Sequence, residues 1–262
     1  MRDCGVYRHY RDSRIPQKIH RISVPELSGE GSSMNLDKRL SAAAELVPHG
    51  ARLADIGSDH AYLPISLCLD GKIEYALASD INEGPVASAI ANIHANGLDG
   101  KISAVRADGL AASRDFAPDC ISVLGMGGEL IVSILDAADW IRDERITLVL
   151  QPMTHPEILS KYLAENGFYI KDEIIVKDKD RTDRIYRIIC AGFDGKLREI
   201  SEAEAYVGRI NLERGDADTV EYVKKILRTL RVRIDGKRAS GNDCSYEEEL
   251  CTSLAEFVRE SV

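Results

Sequence analysis

Five short apolar runs, 52–55, 75–80, 102–106, 120–124 and 147–150, constrain this chain more than any other feature, because most break off at an acid or a glycine before a helical pattern begins. The helical patterns cover 63–68, 85–96 with Gly97 as a stop signal, 131–137, and 156–165 stopped by Asn166-Gly167. Strands separated by helices pair in parallel through right-handed crossovers, and such a sheet opens its ligand crevice at the strand C-termini. Asp55, Gly57, Asp80, Asp108, Gly109 and Gly125 all fall on that edge. Two further runs, 168–177 and 184–190, are joined by the charged stretch 178–183 and read as a hairpin at the sheet border. The expectation is an α/β domain with a mostly parallel seven-stranded sheet.

With 262 residues and 44% hydrophobic content the chain can bury one sizeable core and a small appendage. Its net charge of -9 means that a nucleic-acid partner has to be held by a local basic surface. No apolar run approaches the roughly 18 residues of a membrane span. Residues 1–33 lack the apolar core of a secretory signal, so a cytoplasmic protein is expected. That segment carries Arg2, Arg8, Arg11, Arg14, Lys18 and Arg21 and reads as a disordered leader. Met34, where the first amphipathic pattern starts, is a candidate translation start. The six cysteines show no Cys-x-x-Cys spacing, and His94 and His155 have no partners at ligand spacing, so no metal is expected.

The chemistry concentrates at 53–64, a strand that stops at a carboxylate and turns through one glycine. A nicotinamide or flavin site wants Gly-x-Gly-x-x-Gly so that backbone N–H groups can approach a pyrophosphate. Here Asp59 and Tyr62 stand where the second and third glycines belong. A carboxylate about 4 Å from a phosphate costs on the order of 4 kcal/mol at an effective dielectric near 20. S-adenosylmethionine carries no phosphate and has a sulfonium cation, which an acid beside the turn accommodates. Ser58 or Asp59 also suits a helix N-cap. Asp80, ending the second strand, stands where such folds place the acid that grips ribose hydroxyls.

After Lys196 the pattern changes. Val220, Val223, Leu227, Leu230 and Ile234 step by three and four, and Tyr246, Leu250, Leu254 and Phe257 form a second stripe. Two helices linked over 236–243 are expected. The first is basic, and Lys224, Arg228 and Arg231 form a stripe beside the seam that either binds a polyanion or is merely solvated.

Asp-Ile-Gly-Ser-Asp-His-Ala-Tyr-Leu-Pro at 55–64, Gly-Met-Gly-Gly at 125–128 and Leu-Gln-Pro at 150–152 together give the chain a pattern that resembles the bacterial TrmK family. Its members are tRNA methyltransferases that modify N1 of adenine 22. The resemblance implies a class I Rossmann-like methyltransferase domain over 34–195, a coiled-coil helical hairpin over 196–262, S-adenosylmethionine as donor and tRNA as partner. On that reading Asp59 is the catalytic candidate, stabilising charge as the adenine ring becomes cationic. Arg39, Asp55, Gly57, Ser58, Asp80, Ile81, Asp108, Gly109 and Gly125 are the donor-binding candidates. His60, Tyr62, Gly127, Gly128, Gln151, Pro152, Lys224, Arg228 and Arg231 are the substrate-binding candidates. Gly-Met-Gly-Gly replaces the Asn/Asp-Pro-Pro-Tyr/Phe that serves alkylation of an exocyclic amine, and its glycines leave room for a flipped base. Methylation of another RNA position or a small molecule, and a non-catalytic nucleoside-binding module, are the alternatives; the oligomeric state stays open.

Overall fold

The computed structural model describes residues 36–178 and 184–261. The leader expected over 1–33, and most of the link expected at 178–183, lie outside them. The chain opens with α1 (Lys38–Leu46), whose N-cap Asp37 accepts the Leu40 N–H at 2.7 Å. Then follow β1 (Arg52–Ile56), α2 (Tyr62–Leu69), β2 (Tyr75–Asp80), α3 (Glu83–Ala95), β3 (Ile102–Arg106) and the single turn α4 (Ser113–Phe116). β4 (Cys120–Gly127), α5 (Gly128–Asp136), a 3-10 turn at Asp139–Ile141, β5 (Thr147–Thr154) and α6 (Pro156–Glu165) complete the alternation. The antiparallel pair β6 (Phe168–Asp178) and β7 (Arg184–Phe193) ends the sheet.

The seven strands lie in the order β3-β2-β1-β4-β5-β7-β6, parallel from β1 to β5 and antiparallel at β7 and β6. The order reverses between β1 and β4, the point at which a doubly wound sheet opens a crevice. Parallel strands covered on both faces are apolar throughout, and Leu53, Ala54, Ile121, Val123, Leu148 and Leu150 are fully or almost fully buried. One core packs α1, α2 and α3 on one face, through residues such as Ala43, Leu63, Ile65 and Ile93. The other packs α5 and α6 through Ile131, Leu135, Leu159 and Leu163.

Three expectations need correction. β4 does not stop before Gly125 but runs on to Gly127, still paired to β5, with register shifts at Leu124/Met126 and Met126/Gly127. Gly125, at φ +77°, absorbs that irregularity. The Gly-Met-Gly-Gly segment is therefore a bulged strand leading straight into α5, not a free loop, and α5 starts at Gly128 rather than near Ile131.

Beyond β7, two short helices that the sequence reading missed, α7 (Glu202–Val207) and α8 (Arg209–Arg214), precede α9 (Ala217–Ala239) and α10 (Ser245–Glu260). The third correction is the link: α9 continues through Gly236 to Ala239, leaving only 240–244 between the helices. Val223, Leu227 and Leu230 of α9 close on Leu250 and Leu254 of α10, and the same cluster reaches Ile175 of β6 and Ile185 of β7. A buried ion pair helps fix this appendage to the sheet. Arg187 Nη2 lies 2.8 Å from Glu173 Oε2, while its other nitrogens donate to Glu173, Ser160 Oγ and the Ala205 carbonyl. Glu173 Oε1 in turn accepts the Ile210 N–H at 2.9 Å, so both charges are paired and hydrogen-bonded.

Candidate active site

The turn between β1 and α2 is built around Asp55, which is buried and accepts two hydroxyls. Ser58 Oγ donates to Oδ2 at 2.5 Å and Ser122 Oγ to Oδ1 at 2.6 Å. Burial pushes the carboxyl up from its ordinary value, against the two hydroxyls and the charge of Arg39, which pull it down. Asp55 thus braces β1, β4 and the turn while also lining the cavity beside it. Gly57, at φ +71°, swings the chain away from the sheet, and a Cβ there would overlap the Met126 side chain. Ser58 N then donates to Ser79 O of β2 at 2.9 Å.

His60 and Ala61 both sit in the left-handed region, at φ 66° and 55°. Such a conformation costs an L-residue roughly 1–2 kcal/mol. Asn92 of α3 stabilises it by donating Nδ2 to the His60 carbonyl at 3.0 Å. The N-cap of α2 is Ala61, with no side-chain cap bond. Neither Ser58 nor Asp59 caps the helix: the Ser58 hydroxyl is committed to Asp55, and the Asp59 side chain is 66% exposed.

Arg39, Asp55, Gly57, Ser58, Asp59, His60 and Tyr62 come together around a cavity of about 430 Å³ between this turn and α1, with Leu36, Leu40 and Leu124 as apolar wall. That volume lies within the range of small-molecule sites. His60 Nε2 stands 3.4 Å from Asp59 Oδ1, and the His60 and Tyr62 rings stack with centroids 5.1 Å apart. Arg39 Nη1 donates to Gln151 Oε1 at 3.4 Å, and its Nη2 lies 3.9 Å from Asp37. The same Gln151 oxygen accepts the Gly125 N–H at 3.1 Å, while its Nε2 donates to the Pro152 carbonyl. Gln151 is buried with its amide engaged and shapes the crevice through Arg39 and Gly125, while Pro152 lines a neighbouring groove at the end of β5.

Further along the same edge, Asp80 Oδ1 accepts the Asn82 N–H at 2.7 Å, and the Ile81 carbonyl accepts Arg106 Nε at 2.9 Å. This leaves the Ile81 side chain exposed beside Asp80. Asp108 is exposed after β3 and Gly109 has φ +50°. These four lie outside the walls of the α1 cavity, on the neighbouring strand ends. A Cβ at Gly127 would come within 3.1 Å of Thr154 Oγ1. A Cβ at Gly128 would overlap the His155 carbonyl oxygen and approach Thr154 O to 3.1 Å, so the space beside this glycine is filled by the turn into α6 rather than left for a base.

Lys224, Arg228 and Arg231 are exposed, but they line the groove between α9 and α10, with Arg259 opposite. The basic residues of α9 turned toward the end of β5 are Lys225 and Arg233. Asn92, Met126, Lys225 and Arg233 were not singled out as site residues in the sequence. A helical wheel centred on the seam separates Lys225 from Lys224, but only the packing of α9 on the sheet says which side faces the crevice. Among the described residues no cluster of three or more His, Cys, Asp or Glu side chains can hold a metal ion, and no helix is long and apolar enough to cross a membrane.

A sheet with this order and a glycine turn beside an exposed acid at its switch point define a Rossmann-like methyltransferase, and a methyltransferase-domain family profile matches residues 36–189. The tRNA (adenine(22)-N(1))-methyltransferase of Bacillus subtilis (strain 168) is 36% identical over 174 residues, which cover 66% of this chain and 67% of that protein. The chain belongs to this tRNA (adenine(22)-N(1))-methyltransferase family. Among solved structures, a Streptococcus agalactiae protein of the NADB-Rossmann superfamily is 32% identical with a TM-score of 0.78, covering 87% of this chain and 100% of that one. A Streptococcus pneumoniae protein assigned as a tRNA (m1A22) methyltransferase, solved with S-adenosyl-L-methionine, is 29% identical with a TM-score of 0.74, over 86% of this chain and 100% of that one.

Proposed function

We propose that this protein methylates N1 of adenine 22 in tRNA with S-adenosylmethionine as donor, in the cytoplasm, with 34–195 carrying the chemistry and 196–262 helping to hold the RNA. The observation that carries the mechanism is the Asp59 carboxylate, exposed at the cavity mouth and free of any capping bond. The residues fit the donor: Asp59 disfavours a diphosphate at the turn but suits a sulfonium, and Arg39 in the cavity wall offers a cation to the donor's carboxylate. When bound, the donor supplies an electrophilic methyl group whose bond to sulfur breaks with the electron pair leaving on sulfur.

Adenine N1 attacks with its own lone pair, so the chain's task is to orient the ring and stabilise the charge it acquires. In this reading the His60–Tyr62 stack offers a face for the base, and Asp59 faces its Watson-Crick edge. The carboxylate stabilises the cationic ring or takes a proton from the exocyclic amine afterwards. Asp80 and Ile81 take the donor's ribose and adenine side, with Asp108 and Gly109 beyond; Asp55 and Ser58 hold Gly57 in place. Asp59→Asn is the test. We expect turnover on tRNA to fall about 100-fold or more while donor affinity stays within a few fold, as for an interaction made in the transition state. Normal methylation by this variant would remove Asp59 from the chemistry.

A further inference from the structure

α9 carries two basic rows on opposite sides of its buried seam. Val223, Leu227 and Leu230 point into the helical cluster, and Ile234 continues the same buried stripe. At 100° per residue, Lys224, Arg228 and Arg231 fall to one side of that seam, while Lys225, Thr229 and Arg233 fall to the other. The first row lines the shallow groove against α10. The second forms one wall of a separate groove of about 480 Å³, whose opposite wall is the segment 152–157 at the end of β5. Thr154 is the register partner of Gly127, so this groove continues along the strand edge that carries the crevice.

The groove has the chemistry of a nucleic-acid track. Among the described residues no carboxylate comes within ion-pair distance of Lys225 or Arg233, although Glu247 of α10 feels the charge of Arg233, and both cations are exposed. The acid on the facing wall, Glu157, is engaged by His155 Nδ1 at 3.1 Å. Met153, Tyr206 and Tyr222 add apolar surface on which a base or sugar can rest. A protein of net charge -9 gains little polyanion affinity from its overall field, which makes a concave site with two exposed cations the place where phosphates are held.

We infer that the RNA strand flanking the target adenine runs through this groove, its phosphates on Lys225 and Arg233, and that the row Lys224, Arg228 and Arg231 lies off that path. The inference rests on the proposed tRNA substrate and deepens it. The test measures binding of an unmodified tRNA transcript to the full chain across a potassium chloride series, for wild type, Lys225→Gln/Arg233→Gln and Lys224→Gln/Arg228→Gln/Arg231→Gln. At about 0.7 to 0.9 log units per phosphate contact, the double variant should lose roughly 1.4 to 1.8 from the salt slope. The triple variant should keep a wild-type slope, and both should bind donor as wild type does. Equal losses, or a larger loss in the triple variant, would overturn the inference while leaving the methyltransferase reading standing. A wild-type protein that binds and methylates no tRNA would overturn both.

Discussion

Asn92 makes no contact with donor or substrate in the proposed reading, yet its removal should slow the reaction. The left-handed pair His60 and Ala61 holds about 2–4 kcal/mol of backbone strain, taking roughly 1–2 kcal/mol for each residue. Among the described residues one side-chain bond reaches that carbonyl pair, from Asn92 Nδ2 to His60 O at 3.0 Å. A bond of this kind contributes about 0.5–1.5 kcal/mol net. Losing it lowers the ratio of this turn, which presents Asp59 and the His60–Tyr62 stack, to alternative conformations by about two- to tenfold, since about 1.4 kcal/mol corresponds to tenfold. Asn92→Ala should therefore reduce kcat/KM for tRNA, by up to that factor. Asn92→Asp, which places an acceptor against the carbonyl, should be at least as slow. Both follow from steady-state methylation with labelled donor, with calorimetry to check that donor affinity changes less than turnover. Two variants that methylate at the wild-type rate would refute the claim that the strained turn needs this support.

Gly128→Ala should destabilise the protein by about 1–3 kcal/mol, because its Cβ meets the backbone at Thr154 and His155. By contrast, Gly236→Ala, in the interior of α9 with nothing within 4 Å of the new Cβ, should stabilise it by about 0.5–1 kcal/mol. Thermal melts read both, and equal Tm values for the two variants would contradict the packing described. The raised carboxyl of Asp55 gives a pH signature. A group whose folded pKa lies above its unfolded value contributes stability that is present below the unfolded pKa and is lost as pH rises through the folded one. Urea unfolding across a pH series should show the difference between Asp55→Asn and wild type moving in favour of the variant as pH climbs above the ordinary value of 3.8. A difference that does not change with pH would mean that Asp55 is not held up by burial.

Much of this architecture is legible in the chain because local and global preferences agree. β3 occupies the same residues in sequence and structure, and the order of acids and glycines foretold the crevice edge. The errors lie where tertiary contacts decide. Gly125 reads as a loop, but pairing with β5 carries the strand through it as a bulge. Gly236 reads as a break, but the burial of Ile234 and the Lys237–Glu247 ion pair hold α9 helical past it. The left-handed His60 and Ala61 leave no trace in composition, since neither is a glycine. For the same reason, nothing in the sequence marks Asn92, on a helix 32 residues away, as their support.

The central claim is tested most directly by incubating the full chain with unmodified tRNA and methyl-labelled S-adenosylmethionine, then locating the label by nucleoside mass spectrometry and primer extension. The account predicts one 1-methyladenosine per tRNA, with the primer-extension block at adenine 22 and loss of the signal when that adenine is replaced by guanine. Label on N6, at another position, or on no nucleoside at all would contradict it.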